Sequence, residues 1–556
     1  MLEILVAQIT PVKACVCLVG IFFLAGLLRR LQVSRENSRL GERAPRIRFQ
    51  LPYAIDHIYQ YVVANHNCQD LVFWQSSILN AQGASSIDHP QTAELDAGIS
   101  NRTIVTTDPQ NIRALLTGQF ADFGKGEEFH RDWKEFLGDS IFVTDGELWS
   151  RSRQLIRPMF TRDRIVDTEL FEKHIQHLIP LLAGTPDSKA VDVVPLFLRY
   201  TLDAATDYLL GEGTNSLQNP ATTFAEAFKY VQHRQGEIFR YVPFNFLLSR
   251  TKFRQNLKIM NDFIQPYIDR VLSLPPSDLT QDPSKPSTFL HALAHFTRDP
   301  QILRDQLTAI LLAGRDTTAT TLSFCLYELS RNPSVVQSLR AEISTRLGLG
   351  PSSKTPTYTD LKEMKYLAAI LNETTRLYPV VPFNLRYALS PTTLPTGGGP
   401  TGSSPIGIRP HTRIIYSTML MQRDPAYYPP PEESKAYYYD PGKWIPERWM
   451  RGWVPAPWRF VPFNGGPRIC PGQQFALVEM GYTLVRILQV YGCLRAGRGD
   501  GRGDGVGEGV EGDLRMRFEI TLNPGSELNC VFERDDGGGY DGGQGGGGDV
   551  KKERSA

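Results

Sequence analysis

Ten residues, Phe463-Asn464-Gly465-Gly466-Pro467-Arg468-Ile469-Cys470-Pro471-Gly472, constrain this chain more than any other stretch. A lone cysteine sits among glycines and prolines, with an arginine two positions before it and a phenylalanine seven before. Glycine permits backbone angles and close approaches that a Cβ would block. It also leaves backbone N–H groups free to point at a sulfur, which stabilises a thiolate and tunes its electron donation. The loop is therefore shaped to hold one thiolate against a flat metal cofactor. Arg468 stands where it can pair with a carboxylate on such a cofactor, and Phe463 where it can cover the sulfur from water. A buried structural cysteine in a Gly-Pro turn is the plainer alternative.

A second constraint is a long stretch without a helix breaker. Residues 301–331 contain no proline, carry Leu303, Leu307, Ile310, Leu311, Leu322, Leu326 and Leu329, and stop at Asn332-Pro333. About 30 residues make a helix of roughly 45 Å, long enough to cross a whole domain. In its middle lies Ala313-Gly314-Arg315-Asp316-Thr317-Thr318. Glycine followed by hydroxyls that bond back to earlier carbonyls weakens a helix and can open a notch beside a ligand. An acid next to an alcohol also makes a short proton relay; local bonds within the helix are the alternative. Glu373 and Arg376 share a helix face that Tyr378-Pro379 ends, either as a surface pair or as something buried. Trp149 and Arg153, four apart, share another, as packing residues or as two donors aimed at a carboxylate.

In this order the motifs resemble the cytochrome P450 family. The cysteine loop matches the haem-ligand pattern Phe-x-x-Gly-x-Arg-x-Cys-x-Gly at Phe463, Gly466, Arg468, Cys470 and Gly472. Residues 313–318 resemble its oxygen-binding sequence Ala/Gly-Gly-x-Asp/Glu-Thr-Thr, and Glu373 with Arg376 its Glu-x-x-Arg pair. Pro446-Glu447-Arg448-Trp449 resembles its Pro-Glu-Arg-Trp loop, and Trp149 with Arg153 its Trp-x-x-x-Arg. The resemblance implies a mainly α fold with small β-sheets, haem b as cofactor, and Cys470 as axial ligand of its iron. It implies that Thr317 hydrogen-bonds dioxygen, that Asp316 relays protons, and that Trp149, Arg153 and Arg386 bind the haem propionates. Glu373, Arg376 and Arg448 would form buried architecture under the haem. Thiolate ligation favours O–O cleavage, so the implied activity is insertion of one oxygen atom from O2 into a C–H bond of a lipophilic substrate. The chain carries no dinucleotide-binding motif, and the family precedent for an electron source is a membrane-bound, NADPH-dependent flavoprotein reductase. Relatives that use peroxide as isomerases lack the acid–alcohol pair seen here as Asp316-Thr317; a non-catalytic haem sensor is a further alternative.

Three segments, 145–149, 202–212 and 394–405, resemble the fungal branch that hydroxylates alkanes and fatty acids at chain ends. Terminal hydroxylation is therefore the preferred expectation, with a tailoring oxidase of fungal secondary metabolism beside it. Relatives with covalently attached haem carry an acid where this chain has Ala313, so no ester link is expected. Gln422 stands at a commonly basic or His position and residues 426–440 are longer than usual; both are expected to bear on the reductase-facing surface. The net charge of +1 gives no general case for nucleic acid. Seven cysteines without any Cys-x-x-Cys indicate neither a disulfide framework nor a zinc site, and suggest a reducing compartment.

Residues 11–28 are apolar apart from Lys13 and are followed by Arg29, Arg30 and Arg35. That predicts a membrane anchor over 1–30 with the following chain on the cytosolic side, in the endoplasmic reticulum membrane. A cleaved signal peptide competes. A linker over 31–60 and a catalytic domain over 61–534 would follow. Glycine-rich composition predicts disorder for an insertion at 496–512 and a tail at 535–556. Alternation through Met516, Phe518, Ile520 and Leu522 predicts a strand pair turning at Pro524-Gly525.

Overall fold

The computed structural model describes Gln32 and residues 35–535, apart from 97–101, 161–166, 186–188, 221, 243, 276–278, 280–287, 429–439 and 498–513. The expected anchor, nearly all of the glycine-rich insertion, the tail beyond Asp535 and most of the long 426–440 connection lie outside the described residues. Among the described residues no helix is long and apolar enough to cross a membrane.

The helices that position the site are α1 (Ile55–His66), α2 (Gly126–Leu137), α3 (Gly146–Ile156), α4 (Val193–Leu210), α5 (Thr223–Arg240), α6 (Pro300–Arg331), α7 (Lys365–Leu377) and α8 (Gln473–Val490). Asp299 caps α6 by accepting from the N–H groups of Gln301 and Ile302, Pro300 occupies its first turn, and Asn332-Pro333 ends it. Its 32 residues are buried on nearly every side, and at 1.5 Å per residue they span roughly 48 Å. A helix covered all round has no single apolar stripe, so α6 is the axis on which α4, α5 and α8 pack.

The strands are β1 (Thr92–Leu95), β2 (Thr103–Thr106), β3 (Phe123–Gly124), β4 (Ala190–Asp192), β5 (Phe383–Ala388), β6 (Thr392–Gly398), β7 (Ser404–Ile408), β8 (Arg413–Ser417), β9 (Tyr491–Ala496), β10 (Met516–Phe518), β11 (Leu522–Pro524) and β12 (Asn529–Arg534). One sheet runs β1-β2-β8-β5-β3, with β2 and β8 parallel and Arg386 of β5 opposite Ile414 of β8. The chain is mainly helical with small sheets.

The expected hairpin at 514–532 is corrected. β10 pairs with β11 in the register Phe518↔Leu522, so the turn lies at Glu519-Ile520-Thr521, and β12 joins β4 and β9 instead. Pro524 ends β11, where its missing N–H costs no ladder bond. Phe518 and Leu522 are buried while Ile520 at the turn packs near Gly236 of α5. Tertiary packing, not the Pro-Gly pair, placed the turn.

A buried carboxylate locks the chain beneath the cysteine loop. Glu373 on α7 has no exposed surface. Its Oε2 accepts from Arg376 Nε at 2.8 Å and from Trp449 Nε1 at 2.9 Å. Its Oε1 accepts from Arg376 Nη2 at 2.9 Å, Arg448 Nε at 3.0 Å and the Ile445 N–H at 2.8 Å. Arg376 spends its remaining donors on the carbonyls of Gln422, Pro441 and Lys443. The pair is therefore interior, not a surface i,i+3 bridge. Gln422 is interior too. It donates to the Thr375 and Arg376 carbonyls and accepts from the Val461 N–H at 2.8 Å, so its side chain lies inside the protein and not on a docking face. Burial by itself raises the Glu373 carboxyl, but Arg376 and Arg448 more than offset this and hold it below the ordinary carboxylate range. Stability from this group is therefore present above the unfolded-state pKa and lost as the pH falls through the lower folded value. Glu373→Gln leaves two buried guanidiniums without an anion and should cost about 3–5 kcal/mol in denaturant unfolding. It should also flatten the acid limb of the stability curve; a cost near zero would remove this cluster from the framework.

Candidate active site

The cysteine loop is set by backbone geometry. Gly466 adopts φ +64°, and a Cβ there would lie 1.8 Å from the Leu116 carbonyl oxygen, so no side chain fits. Asn464 also has a positive φ of 63°, with its Oδ1 accepting from Tyr416 Oη at 3.1 Å. The Cys470 N–H donates to the Phe463 carbonyl at 3.0 Å and closes the loop. Phe463 is half-buried, and two residues beyond Cys470, Gly472 caps α8. Burial raises the Cys470 thiol, and the Gly472 N–H and the Arg153 charge offset only part of that rise. The side chain is walled by protein yet opens into a cavity of about 750 Å³ bounded by Trp149, Arg153, Pro467 and Ile469. This cavity lies between α3 and the cysteine loop.

Next to the loop, three cations converge. Arg468 Nη2 donates to Asp145 Oδ1 at 2.6 Å and to the Thr144 carbonyl at 2.9 Å, with its guanidinium 4.6 Å from the Trp149 ring. Arg386, fully buried on β5, donates to the Leu385 carbonyl at 2.8 Å and lies 5.7 Å from the Tyr416 ring. Lys125 Nζ reaches Asn384 Oδ1 at 3.2 Å. Burial, then Arg386 and Arg468, holds the Lys125 ammonium well below the usual lysine range. Burial and Arg386 likewise push Arg468 down to about 10. Asp145 is the nearby carboxylate and is already taken, since its oxygens accept from Arg468 and from the Lys125 and Gly126 N–H groups. Arg153 turns its Nη1 onto the Ile469 carbonyl at 3.0 Å, beside the cysteine. Sequence reasoning picked Trp149, Arg153, Arg386 and Arg468 but missed Lys125. Its Phe123-Gly124-Lys125-Gly126 context has no linear signal.

These residues fit a haem. The Nε atoms of Arg386 and Arg468 are buried without a hydrogen-bond partner, which is costly unless another group completes them. Three cations against one carboxylate leave an excess of positive charge that two propionates would neutralise. Cys470 is the single soft donor at the cavity, and a bound metal would displace its proton.

On α6, Ala313, Gly314 and Thr317 are the half-exposed positions in an otherwise buried stretch. Thr317 Oγ1 donates back to the Ala313 carbonyl at 2.7 Å. Asp316 points elsewhere. It accepts from Gln232 Nε2 of α5 at 2.5 Å and from Arg315 Nη1 at 3.0 Å, and Arg315 in turn donates to Gln232 Oε1 at 2.9 Å. Burial raises the Asp316 carboxyl. No bond joins Asp316 to Thr317 among the described residues, and the Gln232 bridge had no signature in the linear order.

The excess of charge has a signed consequence. Arg386→Leu should lower haem affinity by about tenfold, the loss of a charge-assisted hydrogen bond. The haem-free protein should be no less stable in thermal unfolding, because one of three repelling cations has gone. Parallel losses of both would show that Arg386 is merely structural.

Comparison with known proteins places the chain. The family profile described as Cytochrome P450 matches residues 98–495. Cytochrome P450 monooxygenase pvhE of Talaromyces variabilis is 45% identical over 547 residues, covering 96% of this chain and 97% of that protein. Cytochrome P450 52A1 of Candida tropicalis is 41% identical over 408 residues, covering 70% of this chain and 73% of its own length. Cytochrome P450 52A5 of Candida maltosa is 40% identical over 425 residues, covering 73% and 78%. In fold, the chain is similar to a cytochrome P450DA haem domain at a TM-score of 0.70, with 20% identity, covering 89% of this chain and 98% of that one. The chain belongs to the cytochrome P450 family, and is a haem-dependent monooxygenase that draws its electrons from a redox partner.

Proposed function

We propose that this monooxygenase hydroxylates the end of a long aliphatic chain, such as a fatty acid or alkane. In this reading Cys470 would supply the thiolate that holds the haem iron, Thr317 and Asp316 would supply protons, and Arg468, Arg386, Lys125, Trp149 and Arg153 would hold the propionates. Haem, when bound, supplies activation of O2. The observation that carries the proton role is the half-exposed Ala313–Gly314–Thr317 face on a helix buried everywhere else nearby. It belongs to a helix that packs against α8, which begins at Gln473, three residues after Cys470. Thr317 is an alcohol anchored by its back-bond, so it can accept a proton on one side and pass one on the other. Asp316 can take part only if it exchanges its bonds to Gln232 and Arg315 for solvent.

The substrate reading rests on segments 145–149, 202–212 and 394–405 and on the similarity to the two Candida proteins. Of these, 394–405 forms most of the β6–β7 hairpin. A tailoring oxidase of fungal secondary metabolism is the second reading, favoured by the 96% coverage of the chain by the Talaromyces variabilis relative against 70% for the Candida tropicalis one. The partner proposed is an NADPH-dependent reductase, and the location the endoplasmic reticulum membrane. The apolar run at 11–28 supports this location. So do Ile55, Tyr59 and Val63, exposed at four-residue spacing on α1, and Phe246 and Leu247, exposed by 74% and 72%.

With NADPH and a reductase, Thr317→Ala should keep consuming electrons while product falls and hydrogen peroxide rises; fully coupled turnover would remove its proton role. Long-chain fatty acids or alkanes should shift the ferric haem absorption and yield terminal alcohols. If polycyclic compounds shift it and aliphatic chains do not, the tailoring reading replaces this one. Deleting residues 1–35 should convert the protein from carbonate-resistant to carbonate-extractable in membrane fractions. Continued resistance would place the main anchor elsewhere.

A further inference from the structure

Two residues of the cysteine loop hold left-handed backbone angles, and they do so by different means. Gly466, at φ +64°, has no Cβ to oppose it. Asn464, at φ 63°, does have one. Asparagine enters this region more readily than most residues, yet the angle persists only where the surroundings hold it.

Asn464 is held from two directions. Within the loop its N–H donates to the Val461 carbonyl at 3.4 Å and its Nδ2 to the Arg468 carbonyl at 3.5 Å, both long. From outside the loop, Tyr416 Oη donates to Asn464 Oδ1 at 3.1 Å. Tyr416 is 1% exposed and lies on β8, the middle strand of its sheet. It pairs with Thr106 of β2 on one side and Asn384 of β5 on the other, so its backbone is a rigid base.

We propose that Tyr416 is a positioning residue for Cys470, acting through the backbone angle of Asn464. The carbonyl of Phe463 belongs to the peptide plane that joins residues 463 and 464, and φ of Asn464 sets how that rigid plane is turned. The same carbonyl accepts from the Cys470 N–H at 3.0 Å. The Tyr416 hydroxyl is thus one side chain and one peptide plane away from the bond that closes the loop on the cysteine. The loop has little room to find another path, because a Cβ on Gly465 would come within 2.6 Å of the Trp458 ring. The inference rests on the proposed role of Cys470 as the iron-binding thiolate.

The test uses the full-length holoprotein and three measurements: the ferrous–carbonyl band, the rate at which it converts from thiolate-type to thiol-type on mild warming, and the thermal unfolding temperature. Tyr416→Phe keeps the ring 5.7 Å from the Arg386 guanidinium and removes only the hydroxyl. It should speed the conversion about fivefold, the scale of one hydrogen bond. Tyr416→Phe/Asn464→Gly should return to the parent rate, because glycine takes the angle unaided. Tyr416→Phe/Asn464→Ala should convert about tenfold faster than the parent, the scale of a Cβ in the left-handed region. Both second substitutions delete the oxygen left without a donor, so the difference between them reads the backbone angle alone. Tyr491→Phe is the control. It removes another buried bond, from Tyr491 Oη to the Ile179 carbonyl at 2.7 Å, and should lower the unfolding temperature without changing the conversion rate. An unchanged rate in Tyr416→Phe, no rescue by glycine, rescue by alanine equal to that by glycine, or equal acceleration in Tyr491→Phe overturns the proposal. Should Tyr416→Phe fail to take up haem, uptake becomes the measurement, restored by Asn464→Gly and not by Asn464→Ala. A parent protein with no thiolate-type band would sink the role of Cys470 itself; a normal parent band with an unaltered Tyr416→Phe sinks only the tether.

Discussion

Everything beneath the cofactor cavity depends on an ionised carboxylate kept away from water. Glu373 would be intolerable there alone, since an unpaired charge in the interior costs several kcal/mol, roughly 3–5. Two guanidiniums, an indole and a backbone N–H satisfy it from two separate stretches of chain: α7 and residues 445–449. Because Arg376 also reaches the carbonyls at 422, 441 and 443, one ion cluster fixes the whole approach to the cysteine loop. Gln422 extends the same lock to Val461, two residues before Phe463.

Above that framework the balance of charge is reversed. Where Glu373 is fully compensated, Lys125, Arg386 and Arg468 share one occupied carboxylate, and two guanidine Nε atoms find no partner. Such a surplus is unstable in the absence of an anion and favours binding one.

The long helix performs a third task. Its hydroxyls are arranged so that most bond back along the helix, its acid is held by a neighbouring helix, and a short face of small residues is left open. A buried helix has few ways to present polar atoms to a ligand. Gln232, 84 positions away in sequence, holds the Asp316 carboxylate from a neighbouring helix.

The linear order sufficed for what depends on local geometry. The glycines of the cysteine loop, the span and stop of α6, and the i,i+3 and i,i+4 pairs follow from backbone angles and helical spacing, and recur in the folded chain. Family membership was legible for the same reason, because its motifs are short. Tertiary structure alone decided which charges are buried and what faces them. It moved the expected turn from Pro524-Gly525 to 519–521, took Gln422 from the surface into the core, brought Lys125 beside Arg386 and Arg468, and turned Asp316 toward Gln232. Desolvation and through-space pairing depend on residues tens to hundreds of positions apart, and no local pattern encodes them.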